Sequence, residues 1–203
     1  MGIDIFDKLI PVFKENGFHL YVIGGTSRDF LLKRLLTDYD FVTDATPDEM
    51  KAFLKDANYR FEMYGSVRLK VDGIKVDITT LRKENGYADH RHPNAIEFVK
   101  SPEAEYMRRD FTINAIYIDE NYKIMDFCGG ISDLEHKLIR FIGDPETRIK
   151  EDPLRILRAY RFKQTLGFEF EEETKKAIEL LYSEVEKLNK DKVNEEIRKG
   201  LKL

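Results

Sequence analysis

Gly24-Gly25-Thr26-Ser27-Arg28-Asp29, followed by Asp38-Tyr39-Asp40, is the stretch on which the reading of this chain turns. His19 to Ile23 reads as a short buried strand, the glycine pair breaks it, and Arg28 to Leu36 has helical spacing. A strand, two glycines and a helix start bring backbone N–H groups toward one point. With the positive helix end, that corner accepts a phosphate at Gly24 and Gly25. Arg28 can add a forked, charge-assisted donor. The same residues also suit an ordinary tight strand-to-helix turn. Asp38 to Val42 reads as the next strand. Alternate residues of a strand share a face, so the carboxylates of Asp38 and Asp40 are expected to converge. Their mutual repulsion is relieved most simply by a divalent cation, and magnesium takes carboxylate, water and phosphate oxygens. A solvated pair on an open face is the other reading.

Outward from this stretch the pattern is mixed α/β and then helical. Asp4 to Asn16 has apolar residues at helical spacing, and Pro11 inside it is expected to kink or split the helix. Thr46-Pro47-Asp48-Glu49 is a capping box with proline at the first helical position, opening a helix to about Lys55. Tyr59 to Met63 is a weaker strand signal. Val67–Val71 and Ile74–Thr80 alternate about Asp72-Gly73, a strong hairpin signal. Ile96 to Val99 and Ile113 to Ile118 read as further strands. From Pro145 the spacing is helical, with helices over Leu154–Thr165, Glu172–Tyr182 and Glu184–Leu201. The whole predicts an α/β unit of about 140 residues followed by a helical stretch of about 60.

Composition sets outer bounds. Of 203 residues, 42% are hydrophobic and 35% charged, which supports a core and a well-solvated surface. No apolar run approaches the ~18 residues of a membrane span, so no membrane partner is expected. Cys128 is the one cysteine, which excludes an internal disulfide, suits a cytoplasmic location, and reads as a small buried apolar residue. The net charge of −4 means that any grip on nucleic acid comes from a local basic patch.

Several blocks resemble one family. Gly24-Gly25-x-x-Arg28-Asp29-x-Leu31-Leu32, then Asp38-x-Asp40, then Ala45-Thr46-Pro47 is similar to the opening of class II CCA-adding enzymes and bacterial poly(A) polymerases, within the polymerase β-like nucleotidyltransferases. Val76-Asp77-Ile78-Thr79-Thr80 resembles the family strand that carries a third acidic residue, although Asp77 also suits a hairpin surface. Tyr87-x-Asp89-x-Arg91-x-Pro93 resembles a loop that adjusts during nucleotide selection; His90 and His92 within it read as loop residues. Arg108-Arg109-Asp110-Phe111-Thr112-Ile113-Asn114-Ala115 and Asp126-Phe127-x-Gly129-Gly130-x-x-Asp133-Leu134 match further blocks. The second of these reads as structural. Glu151-Asp152-Pro153-Leu154-Arg155-Ile156-Leu157-Arg158-Ala159-Tyr160-Arg161-Phe162 resembles the family's neck. One departure is Thr26-Ser27, where a small and then an aliphatic residue is usual.

The resemblance spans Leu20 to Leu203. It implies an α/β (α+β) fold with a mixed, largely antiparallel sheet in a head over 1–140 and an all-helical neck over 141–203; family members continue into body and tail domains, which the resemblance does not reach here. It implies template-independent addition of C and/or A from CTP and ATP to the 3′ end of tRNA, with Mg2+ as cofactor and the nucleotide in a cleft between head and neck. Poly(A) synthesis, CC-only or A-only addition, and a nucleotide-binding fragment or half of a split enzyme without turnover alone are the alternatives. Asp38, Asp40 and Asp77 would be catalytic, the first two holding metal. Gly24, Gly25, Arg28 and Arg109 would receive the triphosphate. Asp152 and Arg155 would read the base, with Arg158 and Arg161 orienting their helix or touching phosphate. On residue chemistry alone, Asp152 with Arg155 also suits a helix-surface salt bridge.

Overall fold

The structure is a computed structural model that describes residues 3–87 and 93–201. The loop from Tyr87 to Pro93, with His90 and His92, lies outside the described residues except at its ends. The chain divides into two compact units. The first comprises Met1–Glu84, Ala95–Arg108 and Asn114–Phe127; the second comprises Asn85–Asn94, Arg109–Ile113 and Cys128–Leu203. Residues 109–113 and 128–140 thus group with the helical segment.

The first unit contains α1 (Asp4–Glu15), β1 (Leu20–Val22), α2 (Gly24–Leu31), β2 (Asp40–Thr43), α3 (Pro47–Phe53), β3 (Asn58–Phe61), β4 (Ser66–Val71) and β5 (Ile74–Thr80). After β6 (Arg82–Tyr87) and β7 (Pro93–Phe98), which form their own two-stranded ladder, come α4 (Pro102–Glu105), β8 (Ile116–Ile118) and β9 (Ile124–Asp126). Among the described residues the main sheet has seven strands, ordered β3-β4-β5-β2-β1-β8-β9. Every neighbouring pair in it is antiparallel except β2 with β5, the mixed, largely antiparallel arrangement expected.

The elements follow from local chemistry. α1 buries Ile5, Phe6, Leu9 and Phe13 in a core with Phe41, Val67, Val76 and Ile78. Each such side chain contributes roughly 1.5–3 kcal/mol by leaving water. That stripe holds α1 as one helix through Pro11, which lies on its exposed side, so the expected split does not occur. In the α3 capping box, the Glu49 amide donates to Thr46 Oγ1 at 3.3 Å and the Thr46 amide donates to Glu49 Oε2 at 2.7 Å. The Thr46 amide holds the Glu49 carboxyl below its ordinary range. Asp72 and Gly73 both have positive φ (51° and 79°) with Val71 and Ile74 in register, so β4 and β5 close on a tight two-residue turn.

Several boundaries differ from the sequence reading, among them three near the glycine corner and its acids. α2 begins at Gly24 and ends at Leu31, earlier at both ends than the helix expected from Arg28 to Leu36. β2 begins at Asp40, leaving Asp38 before the strand. Thr112–Asn114 is a 3-10 turn, so the strand expected from Ile113 is reduced to Ile116–Ile118.

The second unit contains α5 (Gly130–Glu135), β10 (Leu138–Ile139), α6 (Pro145–Glu151), α7 (Leu154–Phe162), β11 (Glu169–Phe170), α8 (Glu172–Leu181) and α9 (Lys190–Arg198). Phe111 stacks on Phe141 with centroids 4.8 Å apart and meets the edge of Phe162 at 5.6 Å. The helical stretch is not purely helical: β11 forms a short parallel ladder with β10. The helix expected over Glu184–Leu201 is a 3-10 turn, Tyr182–Lys187, and then α9. The break falls at Leu188, which is extended, and Asn189, whose side chain accepts from the Asp191 amide and so caps α9.

Candidate active site

The corner between β1 and α2 is built by backbone conformation. Ile23 is extended at φ −149° and ψ 172°. Gly24 then turns left-handed at φ 70°, a conformation that costs other L-residues roughly 1–2 kcal/mol. A Cβ at Gly24 would stand 3.4 Å from Asp40 Oδ2, and one at Gly25 would stand 3.5 Å from Arg28 Nη2. The glycine corner therefore lies between an acid and a guanidinium. The Ile23 amide also donates to the Asp40 carbonyl at 3.2 Å.

Arg28 is 7% exposed. Its Nε and Nη2 donate to the two carboxylate oxygens of Asp29 at 2.9 and 3.0 Å, and its Nη1 donates to Asn114 Oδ1 at 2.7 Å. These bonds fix a buried positive charge beside Gly25.

Thr26, 1% exposed, ties this corner to the acids. Its hydroxyl donates to the Asp38 carbonyl at 3.0 Å and accepts from the Asp40 amide at 2.8 Å. One buried hydroxyl thus spans Tyr39 and fixes the backbone between the two aspartates. The opposite edge is held by the ladder, where the Asp77 amide donates to the Tyr39 carbonyl at 2.9 Å. Asp38 itself is exposed, so its placement rests on these clamps and not on strand alternation.

Asp40 and Asp77 are register partners in β2 and β5 and share a face. Asp77 is also ion-paired: Arg68 Nε donates to Asp77 Oδ1 at 2.6 Å and Nη2 to Oδ2 at 3.1 Å. Asp77, and more weakly Asp40, push the Arg68 guanidinium above its ordinary range. Two of the three sequence-predicted acids thus lie together with a cation beside them. Among the described residues no group of three or more His, Cys, Asp or Glu could hold a metal ion.

The remaining arginines have protein partners. Arg108 pairs with Glu105, which is fully buried, and lies 3.6 Å from Glu84. In the second unit the Arg109 carbonyl accepts from Arg148 Nη2 at 2.7 Å. Arg158 donates to Asp110 Oδ2 through Nε at 2.8 Å and Nη2 at 2.5 Å. Arg161 donates to buried Glu196 at 2.6 Å and lies 4.2 Å over the Phe162 ring. Arg155 is 6% exposed and donates to the Arg148 carbonyl at 2.6 Å and to Glu151 Oε2 at 2.8 Å. Asp152 ends α6 and its Oδ1 accepts from the Leu154 amide at 3.1 Å. Asp133, 5% exposed, accepts from Thr112 Oγ1 and Arg140, as its structural reading implies. Cys128 is only half-buried.

Sequence reasoning missed Thr26, Asn114 and Arg68. Arg68 was accessible: a two-residue turn at Asp72-Gly73 pairs Val71 with Ile74 and hence Arg68 with Asp77. Nothing in the sequence marked the Asn114 or Thr26 contacts, which depend on tertiary approach.

Residues 20–140 match the family model of the poly A polymerase head domain. The chain is 39% identical over 199 residues to a CCA-adding enzyme of Lactobacillus helveticus, covering 97% of this chain and 50% of that protein. It is 42% identical over 171 residues to a CCA-adding enzyme of Pediococcus pentosaceus, covering 84% and 43%. Among solved structures it is similar to the Bacillus stearothermophilus CCA-adding enzyme in complex with CTP, at TM-score 0.77 and 34% identity over 85% of this chain and 41% of that one. It is also similar to a tRNA nucleotidyltransferase complexed with a primer tRNA and an incoming ATP analog, at TM-score 0.75 and 30% identity over 94% and 55%. The chain spans about half the length of the curated relatives it matches. With the family model matched over more than half of its residues, the chain belongs to the poly A polymerase head-domain family.

Proposed function

We propose that this chain carries the catalytic part of a template-independent RNA nucleotidyltransferase that adds C and A from CTP and ATP to the 3′ end of tRNA. The observation that carries the proposal is the Asp40 carboxylate seated against the Gly24 turn, with Asp77 in register beside it. An acid pair at a phosphate-accepting corner is what nucleotidyl transfer requires. The relatives captured with CTP, or with primer tRNA and an ATP analog, support the substrate class.

The donor set fits magnesium. Asp38 and Asp40 offer hard carboxylate oxygens, and magnesium is ordinarily held by one or two carboxylates with water and phosphate completing the shell. Such a site needs no cage of three protein ligands. When bound there, magnesium lowers the proton affinity of the attacking hydroxyl and neutralises charge on the phosphates.

In the reaction the RNA 3′-oxygen bonds to the nucleotide α-phosphorus and the bond from that phosphorus to the β-phosphate bridging oxygen breaks. Pyrophosphate leaves and the hydroxyl proton passes to solvent or to a carboxylate. Gly24 and Gly25 supply backbone N–H groups to the triphosphate, and Arg28 supplies fixed positive charge from behind Gly25. Arg109 neutralises further phosphate charge. Thr26 keeps the backbone of Asp38 and Asp40 in place.

Within the helical part, Asp152 is assigned to base selection. Arg155 is assigned to base selection with it, held at the α6–α7 corner by Glu151 and the Arg148 carbonyl. The ion pairs of Arg158 and Arg161 suit the orienting role of the two alternatives given them. We further propose a catalytic head over 1–140, a nucleotide-selecting neck over 141–203, and a cytoplasmic location; among the described residues no helix is long and apolar enough to cross a membrane.

The test is incorporation of labelled CTP and ATP, supplied separately, into tRNA lacking its CCA end. The native chain should incorporate in the presence of magnesium, and Asp40→Ala should lose turnover while keeping its circular dichroism. Incorporation retained by that variant would refute the assignment.

A further inference from the structure

The face of the sheet that carries Asp40 and Asp77 also carries a concentration of positive charge. Arg68 and Lys70 alternate outward along β4, and Lys75 and Asp77 along β5, while the intervening Leu69 is half-buried and the intervening Val76 buried. Register sets Arg68 opposite Asp77 and Lys70 directly opposite Lys75. Two like charges facing each other across a ladder are destabilising, so this pairing is unfavourable for the fold alone. Arg68, Lys70 and Lys75 line a cavity of about 520 Å³ together with Lys55, from the turn after α3, and Asp56 is the acid on its wall. Lys55, Lys70 and Lys75 are exposed, and among the described residues none of the three makes an ion pair. The whole chain carries a net charge of −4, so this surface locally reverses its sign.

We infer that the surface of Lys55, Lys70 and Lys75 binds the phosphodiester backbone of the RNA whose 3′ end is extended. The inference rests on the nucleotidyltransferase reading and adds the place where the polymer is gripped. A polyanion whose end must approach Asp40 and Asp77 is repelled by those acids unless cations stand close by. Lys75 is two residues from Asp77 along one strand, about 7 Å at the usual rise, which is within one Debye length at physiological salt. The opposed Lys70 and Lys75 ammonium groups are relieved by an intervening phosphate, which turns an unfavourable pair into a binding feature. A polymer also suits cations spread along two strands and a turn better than a single compact anion does.

The experiment uses the full 203-residue chain and a tRNA transcript lacking CCA, comparing the native protein with Lys70→Gln/Lys75→Gln. RNA dissociation constants are measured across a salt series, beside kcat and the CTP KM at saturating RNA. The expected result is RNA binding weakened by about 5–20-fold and a log K against log salt slope reduced by about one to two, as for loss of one or two phosphate contacts. The CTP KM and kcat at saturating RNA should hold, and the thermal midpoint should stay or rise as the opposed charges are removed. Unchanged RNA affinity and slope would overturn the inference, as would a raised CTP KM with unchanged RNA binding, which would assign the surface to the nucleotide triphosphate. A native chain that binds no RNA would also overturn it. The two proposals fail separately: native RNA binding without incorporation removes the catalytic reading alone, and native incorporation with an indifferent double variant removes this one alone.

Discussion

A Cβ placed on Gly24 would stand 3.4 Å from Asp40 Oδ2, in contact with the carboxylate on which the chemistry is proposed to depend. Gly24 is also left-handed, at φ 70°. Gly24→Ala therefore carries a backbone penalty of roughly 1–2 kcal/mol and a methyl group against the acid. The expected outcome is a thermal midpoint lower by a few degrees and incorporation of CTP reduced by at least about tenfold. Unchanged incorporation at the same protein concentration would show that the corner does not set the position of Asp40.

Thr26 makes the same point without touching the glycine. Its hydroxyl donates to the Asp38 carbonyl and accepts from the Asp40 amide, so it acts on the reaction through the acids and is a positioning residue. Thr26→Val keeps the shape and removes both bonds, at a cost of about 1–3 kcal/mol for the buried groups left unpaired. We expect kcat to fall by about 10–100-fold and the magnesium concentration for half-maximal rate to rise, with the CTP KM little changed. Thr26→Ser should restore both readouts. A stability loss without any shift in magnesium dependence would reduce Thr26 to a structural residue.

Local chemistry was legible in the sequence and tertiary contact was not. The Asp72-Gly73 turn and the Thr46–Glu49 box are short-range devices, and both form as the residues dictate. The start of β2 depends on where a ladder finds its partner, so alternation alone carried Asp38 into a strand that begins at Asp40. Helical spacing over Glu184–Leu201 concealed the break at Leu188, although Asn189 supplied a cap signal. At the site, alternation marked Asp40, while Asp77 stayed open between the site face and a hairpin surface until its register with Asp40 was seen. Their neighbours Arg68 and Thr26 come from contacts between elements, of which only the first follows from register arithmetic.

The pH dependence of the fold has one marker in Tyr122. Its hydroxyl accepts from the Ile3 amide and donates to Asp7 Oδ1, each at 2.7 Å. Burial first, and then Asp7, push the phenol up to about 12 from an ordinary value of 10.0. The folded state thus favours the neutral phenol. Its contribution is fully present below pH 10 and is lost as pH rises toward 12. Denaturant midpoints measured across that window should fall for the native chain, together with delayed growth of phenolate absorbance. Tyr122→Phe should be less stable near neutrality by about 1 kcal/mol and show a weaker alkaline decline. An identical decline in both proteins would assign it to other groups, Tyr21 first, whose phenol is also pushed up to about 12 by burial.

Arg68 stands between structure and catalysis. It holds Asp77 through two bonds and feels Asp40 as well. With both side chains partly open, at 53% and 37%, the pair contributes at most about 1 kcal/mol to stability. Its larger effect is on the acids, because a guanidinium on Asp77 competes with any divalent cation for that carboxylate. Arg68→Gln should leave the thermal midpoint nearly unchanged and lower the magnesium concentration for half-maximal incorporation several-fold, read at saturating RNA. Asp77→Asn should move the same quantity upward and reduce kcat. If neither variant shifts the magnesium profile, Asp77 serves Arg68 as a surface ion pair, and the chemistry rests on Asp38 and Asp40 without a third acid.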